Sequence, residues 1–566
     1  MAQHTRGVTS GARLSRAVLR SQARRLAASS VFFAGHQGGE ALIPLLIGVI
    51  IDRVVAGGDV PALLGWLAVL AAVFAALSVS WRLGLRRAQL AGLRVAQQLQ
   101  LDLVSRVVAP AGHAGGDRLP GDLVNVATED ALRVRRVCFG LPPAVSALVG
   151  IAVAGAALLW SSVILGLVVL VGAPGLLVVL RVLSRPLERR SGDEQHRAGQ
   201  ASGVAADLIA GLRVLKGAGA EEQARRRYRT VSQSSLAATL GATRAQARYK
   251  GAFLSLNGLF LAVVALVGGL LALRGRISPG EFVAAVGLAQ YLVAPLQVLG
   301  WFSGVAARGR ASAQRLAAVL SAPSAVTAGT KELPRPVRGE VHLDEVAAGS
   351  LAGLHLTVGA GELLGVVAEP EDAASLLGCV GRDADLEAGA VHLDGVALAD
   401  LDPAEVRSAI LVTHHHATLF EGGLLDNVAV AAAAGADVDA AMAAARADQV
   451  AQALPHGRES SLDEAGRSLS GGQRQRVVLA RSLAADPAVL VLHDPTTAID
   501  AVTEAAIADG IRRLRQGRTT ILLTTSPALL AVADRVAMVQ DGVVIAEGTH
   551  VGLAASRETY RRMVLA

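Results

Sequence analysis

Lysine and cysteine are almost absent from this chain. Among 54 basic residues only Lys216, Lys250 and Lys331 are lysines, and none follows Lys331. Any function that needs a lysine side chain in the C-terminal part of the chain is therefore excluded. The two cysteines, Cys138 and Cys379, are too few for a disulfide framework. We expect both to be reduced and to lie on the cytosolic side of a membrane.

Charge and aromatic residues are also scarce. Charged residues make up 18% of the 566 residues, whereas an ordinary soluble domain carries about a quarter. Hydrophobic residues make up 52% and aromatic residues only 3%, and the mean hydropathy is +0.46. These values exclude a wholly soluble protein. At about 150 residues a domain, the length predicts several domains. The N-terminus lacks the pattern of a cleaved secretory signal.

Six segments are long and apolar enough to cross a bilayer, which takes about 20 residues of helix. They lie near 30–54, 60–81, 140–160, 161–183, 252–273 and 279–301. They form three pairs with short connections inside each pair. The connections between pairs, near 82–138 and 184–250, are long and keep a helical period. These connections are predicted to be helices that extend from the membrane.

The basic residues follow the same division. Lys and Arg number six in the first 26 residues, about nine and about thirteen in the two long connections, and at most two in each short one. Positive charge marks the cytoplasmic side. We therefore expect a multi-pass protein of the plasma (inner) membrane, with a cytoplasmic N-terminus and C-terminal half. The pI of about 10.0 is explained without a nucleic-acid partner.

Three polar residues interrupt the first span. His36, Gln37 and Glu40 lie near its middle, and ionisable residues inside spans are rare and often functional. One interpretation is that they line a substrate cavity. The alternative is that neighbouring helices satisfy them.

The composition changes after Leu320, where a segment rich in Pro, Ser, Thr and Gly indicates a linker. Beyond it, short β-type runs alternate with Ala-rich helical stretches. The pattern predicts an α/β domain with a mainly parallel, buried sheet. The predicted strands cover 341–343, 363–367, 409–412, 488–492, 520–523 and 536–539.

The strongest motif is the string Leu-Ser-Gly-Gly-Gln-Arg-Gln-Arg at 469–476, which opens a helical run. The free N–H groups of a helix N-terminus bind anions, and glycines let a phosphate approach the backbone. Ser470 adds a hydroxyl group. A buried strand and Asp494 follow, and this combination is specific.

With these motifs the chain resembles the ATP-binding cassette (ABC) transporters, and in particular an exporter-type half-transporter. Residues 469–473 match the family signature, 497–500 match the loop after the second acidic motif, and 541–550 match the usual C-terminal stretch. Segments 121–130 and 206–216 match the coupling helices that contact nucleotide-binding domains.

The resemblance implies a polytopic α-helical membrane domain of six transmembrane helices with long cytoplasmic extensions, followed by an α/β P-loop-NTPase-like nucleotide-binding domain. It also implies ATP and Mg²⁺. The expected divisions are a cytoplasmic segment 1–26, a transmembrane domain 27–318, a linker 319–338 and a nucleotide-binding domain 339–566.

The segment at the position of the phosphate-binding loop departs from the family pattern. The family has a Gly-rich loop ending in Gly-Lys-Ser/Thr, whose lysine neutralises phosphates. Here Gly365 leads into 368–375, which we call the phosphate-loop segment. Ala374 stands at the lysine position, and only Ser375 remains of the family ligands. Acids and a proline at 369–372 are expected to fill the cradle, where acids repel phosphate and proline removes an N–H donor.

The other nucleotide-site positions also differ from the family. His493 replaces the metal-side acid, and Asp494 stands where the longer catalytic glutamate is usual. His415 falls at the glutamine position, Thr525 replaces the switch histidine, and no Phe, Tyr or Trp lies within 338–364 to stack on adenine. The neighbouring histidines at 414–416 predict no metal site, because three consecutive side chains do not converge on one ion.

In this family each ATP lies between the loop of one domain and the signature of another. The resemblance therefore implies a heterodimer in which this chain alone is inactive. A partner half-transporter supplies an intact loop and catalytic glutamate and holds most of the ATP and Mg²⁺. This chain contributes Ser470, Gly471, Gly472 and Gln473, with Asp500 at the interface. The cargo is a small molecule or peptide, and export is the default direction.

Two alternatives stay open at this stage. One is a siderophore-type importer with the same architecture, and the other is a non-transporting regulatory pseudo-transporter. An adjacent reading frame for a complete half-transporter favours transport over regulation.

Overall fold

The computed structural model describes residues 10–55, 60–112, 120–415 and 418–565. Contacts within the chain divide it into two units. The described residues of the first unit are 10–55, 60–103 and 120–321, and those of the second are 104–112, 322–415 and 418–565.

Long helices dominate the chain up to Leu320. In chain order they are α1 Gly11–Ser21, α2 Ala23–Ile50, α3 Val60–Val107, α4 Pro120–Asn125, α5 Ala131–Ser161, α6 Val163–Ala210, α7 Leu212–Gly217, α8 Glu221–Leu273 and α9 Pro279–Leu320. A π-helical turn at Ile51–Val55 prolongs α2, and another at Val126–Asp130 joins α4 to α5.

Six of these helices are long and apolar enough to cross a membrane, namely α2, α3, α5, α6, α8 and α9. This confirms the six predicted spans. The long connections are helical, as expected, because α3, α6 and α8 run for 48, 48 and 53 residues. Segment 206–216 is divided at Gly211, where α6 ends and α7 begins one residue later. The predicted turn at 56–59 lies outside the described residues.

A buried ionic group links two helices of the first unit. The carboxylate of Asp130, whose side chain is 1% exposed, accepts hydrogen bonds from Ser312 Oγ at 2.8 Å and from Arg315 Nε at 2.7 Å. Arg133 lies 3.5 Å from it on the same helix. Charge-assisted, two-pronged contacts of this kind are strong. They join the end of segment 121–130 to α9.

The second unit contains all twelve described strands. They are β1 Val341–Ala348, β2 Leu351–Val358, β3 Leu363–Val367, β4 Ala388–Leu393, β5 Val396–Ala397, β6 Ile410–Thr413, β7 Gly422–Gly423, β8 Ser461–Leu462, β9 Val489–His493, β10 Thr519–Leu523, β11 Arg535–Gln540 and β12 Val543–Gly548.

Short helices connect these strands. They are α10 Pro370–Gly381, α11 Pro403–Ala409, α12 Leu424–Ala429, α13 Val438–Ala444, α14 Ala447–Gln452, α15 Gly471–Ala484, α16 Ala501–Leu514, α17 Pro527–Ala531, α18 His550–Ser556 and α19 Glu558–Val564.

The main sheet has the strand order β12-β11-β3-β10-β9-β6. Its strands are parallel except for β12, which runs antiparallel to β11. All residues of β3 and β10 are buried, as is typical of a parallel sheet covered on both faces. The mainly parallel α/β domain predicted from the sequence is confirmed.

A second sheet, in the order β2-β1-β4-β5, is antiparallel. Strands β2, β4 and β12 were not predicted from the sequence, because their side chains alternate between more and less exposed positions and do not form continuous apolar runs. The cysteines are both free and buried, and burial raises the pKa of the Cys379 thiol to about 11.

We expect Asp130→Ala to lower the Tm of the purified chain in detergent, with a loss of about 1–3 kcal/mol, because Arg315 and Ser312 lose their shared acceptor. Asp193→Ala is the matched control. It removes an exposed pair with Arg197 one helical turn away, which contributes less than about 0.5 kcal/mol. Equal Tm values for the two variants contradict the prediction.

Candidate nucleotide-binding and substrate-binding sites

Four parallel strands end at one edge of the main sheet. The register pairs Val366 of β3 with Leu523 of β10, Leu523 with His493 of β9, and Leu492 with Thr413 of β6. Ligands of parallel sheets bind outside the carboxyl ends of the strands. The phosphate-loop segment, Thr525, Asp494 and His415 all follow these strand ends. The structure therefore places these four candidate positions at one edge of the sheet.

The phosphate-loop segment is mostly helix rather than loop. Only Ala368 and Glu369 separate the end of β3 from the start of α10 at Pro370. The amide of Ala373 donates to the carbonyl oxygen of Glu369 at 2.9 Å, as in any helical turn. Asp372 is buried and accepts a hydrogen bond from the Gly542 amide. Residues 370–372 thus belong to α10, which corrects the expectation of an acid-filled cradle loop.

The two candidate residues at the end of this segment, Ala374 and Ser375, offer little to a phosphate. Ser375 Oγ accepts from the Ser350 amide at 3.1 Å and lies 3.1 Å from Ser350 Oγ, so it faces the turn between β1 and β2. Ala374 is exposed and uncharged. Gly365 is buried inside β3, with the side chain of Leu530 against it.

Electrostatics also oppose a triphosphate here. The N-terminus of a helix carries partial positive charge that attracts anions. In α10 that charge faces Glu371 and Asp372 in the first turn, and Pro370 has no N–H to donate. The residues of the phosphate-loop segment do not fit the phosphates of ATP.

Two histidines meet at the positions of the family's glutamine and metal-side acid. His415 Nδ1 lies 3.3 Å from His493 Nδ1, and the rings are nearly perpendicular with centroids 4.8 Å apart. A cavity of about 180 Å³ separates this histidine pair from Gly471 and Gln475 at the start of α15. The two histidines are far apart in the sequence, so no local pattern predicts this contact.

The histidine pair does not fit Mg²⁺, which prefers oxygen ligands in octahedral geometry. Asp494 supplies one carboxylate, and its Oδ2 lies 3.8 Å from His493 Nε2. Thr525 is exposed. Within the described ranges no group of three or more His, Cys, Asp or Glu side chains is placed to hold a metal ion. His416 lies outside those ranges.

The signature forms a well-defined helix start. Ser470 is the N-cap of α15, and its Oγ accepts from the Gln473 amide at 3.3 Å. In return Gln473 Oε1 accepts from the Ser470 amide at 2.9 Å, which completes a capping box. Ser470 and Gly471 are exposed, and no acidic residue lies in the first turn. This helix N-terminus, unlike that of α10, fits a phosphate.

The loop at 497–500 packs directly on the signature helix. Gln475 Nε2 donates to Thr497 Oγ1 at 2.6 Å, and Gln475 Oε1 accepts from the Ala498 amide at 2.9 Å. A side chain at Gly472 would place its Cβ 2.5 Å from the Ala498 carbonyl oxygen. Sequence analysis missed the role of Gln475, because only the fold shows which backbone its amide contacts.

Asp500 caps the next helix. Its Oδ1 accepts from the Thr503 amide at 2.9 Å at the start of α16. This hydrogen bond lowers the pKa of the Asp500 carboxyl. The exposed, ionised side chain therefore holds the end of the 497–500 loop in place.

In the first span, neighbouring helices satisfy two of the three polar candidates. His36 Nδ1 donates to the Leu77 carbonyl oxygen at 3.0 Å, and the Tyr291 hydroxyl donates to the side-chain oxygen Oε1 of Gln37 at 3.0 Å. Glu40 differs, because its side chain is 45% exposed and its one ion pair within the described part of the chain is with His36, at 3.9 Å. Glu40 is therefore the remaining candidate for a charged substrate contact.

The fold and these motifs define an ABC transporter, and the chain belongs to that family. The family model for the ABC transporter transmembrane region matches residues 26–296, and the ABC transporter model matches residues 351–497.

Individual relatives agree with this family. A multidrug efflux ATP-binding/permease protein of Mycobacterium tuberculosis is 30% identical over 521 residues, covering 90% of this chain but 43% of the relative. The chain thus spans less than half of that protein. An ATP-dependent lipid A-core flippase of Photobacterium profundum is 27% identical over 406 residues, which cover 70% of this chain and 69% of the flippase.

A solved structure shares the fold over nearly the whole length. A bacterial Atm1-family ABC exporter with ATP bound matches with a TM-score of 0.76 and 22% identity, covering 97% of this chain and 98% of that one.

We expect Gly472→Ala to loosen the 497–500 loop, because the new methyl group collides with the Ala498 carbonyl oxygen. The expected loss of stability is about 1–3 kcal/mol. Hydrogen exchange of the amides at 497–500 measures the effect. Gly471→Ala is the matched control, since its Cβ lies 3.3 Å from the Ala498 Cβ and the contact is milder. Similar exchange in the two variants contradicts the argument.

Proposed function

We propose that this chain is one subunit of a heterodimeric ABC transporter that moves a small molecule or peptide out of the cell. ATP binding and hydrolysis in the complex drive the movement. The names of the efflux and flippase relatives support export. The six spans support a multi-pass location in the plasma membrane, with a transmembrane domain at 27–318 and a nucleotide-binding domain at 339–566.

The observation that carries this proposal is the contrast between two helix N-termini in the second unit. The first turn of α10 carries Glu371 and Asp372, whereas that of α15 has no acid and begins with Ser470 and two glycines. Two copies of this chain would combine two unfit phosphate-loop segments. An intact signature is useful only when another subunit presents the phosphates.

In the proposed complex the partner supplies the Gly-rich loop, its lysine, the Mg²⁺-binding acid and the catalytic glutamate. Ser470 Oγ and the amides of Gly471 and Gly472 would hold the phosphates from the opposite side. Gln473 keeps Ser470 oriented through the capping box. Asp500 holds the loop that transmits changes across the interface.

Glu40 points to the class of cargo. A carboxylate inside a span is costly unless it meets a charge or water. Since His36 and Gln37 are already bonded to neighbouring helices, we propose that Glu40 favours cationic cargo.

We expect the purified chain alone to hydrolyse no ATP above background, and the co-purified complex to be active. Ser470→Ala in the complex should lower ATPase activity by about 10-fold or more, because a phosphate contact made from a preorganised helix N-terminus is lost. Ser468→Ala is the matched control, since its hydroxyl bonds Asp463 and lies outside the helix start.

Two outcomes refute this arrangement. One is ATP hydrolysis by the chain alone at a rate close to that of the complex. The other is full activity of the Ser470→Ala complex. A co-purified partner without any transport in vesicles would favour a regulatory role, and uptake into cells would favour an importer.

We expect Glu40→Gln to reduce transport of cationic substrates by about 10-fold and to change transport of neutral ones by less than twofold, because one charge contact is lost. Transport into inverted vesicles measures both. Glu188→Gln is the control, as this exposed carboxylate contacts Ser184 on α6, away from the candidate residues. Equal losses for cationic and neutral substrates contradict the assignment.

A further inference from the structure

Four arginines surround an open cavity where α1 meets α2 and α3. Arg20, Arg24, Arg25 and Arg87 line this space of about 720 Å³, which we call the arginine cavity. Ala28 and Leu90 form an apolar part of the cavity wall. All of these residues belong to the first unit.

The helices that line the arginine cavity carry no acidic side chain near it. The first acid in the chain is Glu40, and α3 has none before Asp102. Among the ion pairs of the described residues, none involves the four lining arginines. The cavity therefore has a strong positive potential that an anion would offset.

Two of the arginines are held in place rather than free in solvent. The guanidinium of Arg87 lies 4.5 Å from the centroid of the Phe32 ring and donates to the Leu83 carbonyl oxygen at 3.2 Å. Arg25 Nη1 donates to Gln22 Oε1 at 2.8 Å, and Gln22 is 6% exposed. Preorganised guanidinium groups lose less entropy when they bind an oxyanion.

The depth of the cavity can be counted along both helices. A span of about 30 Å takes about 20 residues at 1.5 Å each. Counted from Val60, α3 leaves the hydrocarbon near Trp81, whose exposed ring is typical of a membrane interface. Arg87 lies six residues further, at about 9 Å. Counted back from Ile51, α2 leaves the hydrocarbon near Phe32, and Arg25 lies at a similar depth.

Although the Arg87 backbone lies about 9 Å out, its guanidinium lies over the ring of Phe32, at the edge of the hydrocarbon. That is the level of the lipid head groups, which extend about 5–8 Å beyond the hydrocarbon on each side, and Arg25, at about 10 Å, lies just outside them. Val31 lies three residues from Ala28, on the same helix face, and is 70% exposed. An apolar surface therefore continues from the cavity wall toward the hydrocarbon, where an acyl chain would lie.

We propose that the arginine cavity binds the phosphate of an anionic phospholipid. Arginine holds phosphate through two parallel hydrogen bonds, and zwitterionic lipids would lose to anionic ones because nothing in the cavity pairs with a cationic head group. This site is separate from the nucleotide and cargo sites and does not depend on the proposed transport function. The alternative is that these arginines only set the orientation of the helices in the membrane, a role that needs no specific ligand.

Native mass spectrometry of the full-length chain in detergent, titrated with phosphatidylglycerol or phosphatidylcholine, tests the proposal. We expect the chain to retain bound phosphatidylglycerol and to bind phosphatidylcholine more weakly. The variant Arg20→Gln, Arg24→Gln, Arg87→Gln should weaken phosphatidylglycerol binding by about fivefold per removed charge, or roughly 100-fold. The matched control is Arg16→Gln, Arg86→Gln, Arg94→Gln, which removes the same number of charges, since all three arginines are exposed and none lines the cavity.

Three results would overturn the proposal. The first is an equal loss of bound lipid in the triple variant and the control, which would mean that binding depends on overall positive charge and not on the cavity. The second is equal retention of the two lipids. The third is stabilisation by inorganic phosphate alone with no effect of phosphatidylglycerol on Tm, which assigns the cavity to free phosphate. If the triple variant does not fold, Arg87→Lys serves instead, and an unchanged affinity would equally refute bidentate binding.

Discussion

The backbone hydrogen bond of the α-helix is the interaction on which both units depend. In a bilayer no water satisfies amide and carbonyl groups, so each span must satisfy them internally. This accounts for the six long helices of the first unit. In the second unit the same bond has the opposite consequence. Once Ala373 donates to Glu369 within α10, its amide no longer serves a phosphate. One interaction therefore builds the long helices of the first unit and takes up the Ala373 amide of the phosphate-loop segment.

The two helix starts at the edge of the main sheet differ in what they offer to an anion. At α15 the capping box ties the Ser470 and Gln473 side chains to the backbone, and the exposed Gly471 leaves room for a ligand. At α10 the first turn carries acids, and Ser375 turns toward Ser350. His415 and His493, which line a cavity beside the start of α15, stand where the family resemblance implies a metal site and offer imidazole rather than oxygen ligands. Geometry and charge thus make the start of α15 more favourable to an anion than the start of α10.

Much of the architecture was predictable from local sequence. Spans and buried parallel strands are continuous apolar runs, so their length and hydropathy identify them without knowledge of partners. The half-exposed strands β2, β4 and β12 escaped prediction, since alternation over six to eight residues is a weaker signal. The helical state of residues 370–372 also escaped it. The family pattern implies a loop there, whereas a proline followed by two acids is a favourable helix start.

The sequence by itself determined which chemical groups this protein has and lacks: no lysine at Ala374, no acid at His493, and an intact signature at 469–473. Chemical identity is local, so no fold can restore a missing charge. The tertiary structure decided which groups meet. The histidine pair, the link from Asp130 to Arg315, the Gln475 contacts with the 497–500 loop and the arginine cavity all join residues far apart in the chain or on different helices. Such contacts depend on how helices and strands pack, and no local pattern records that.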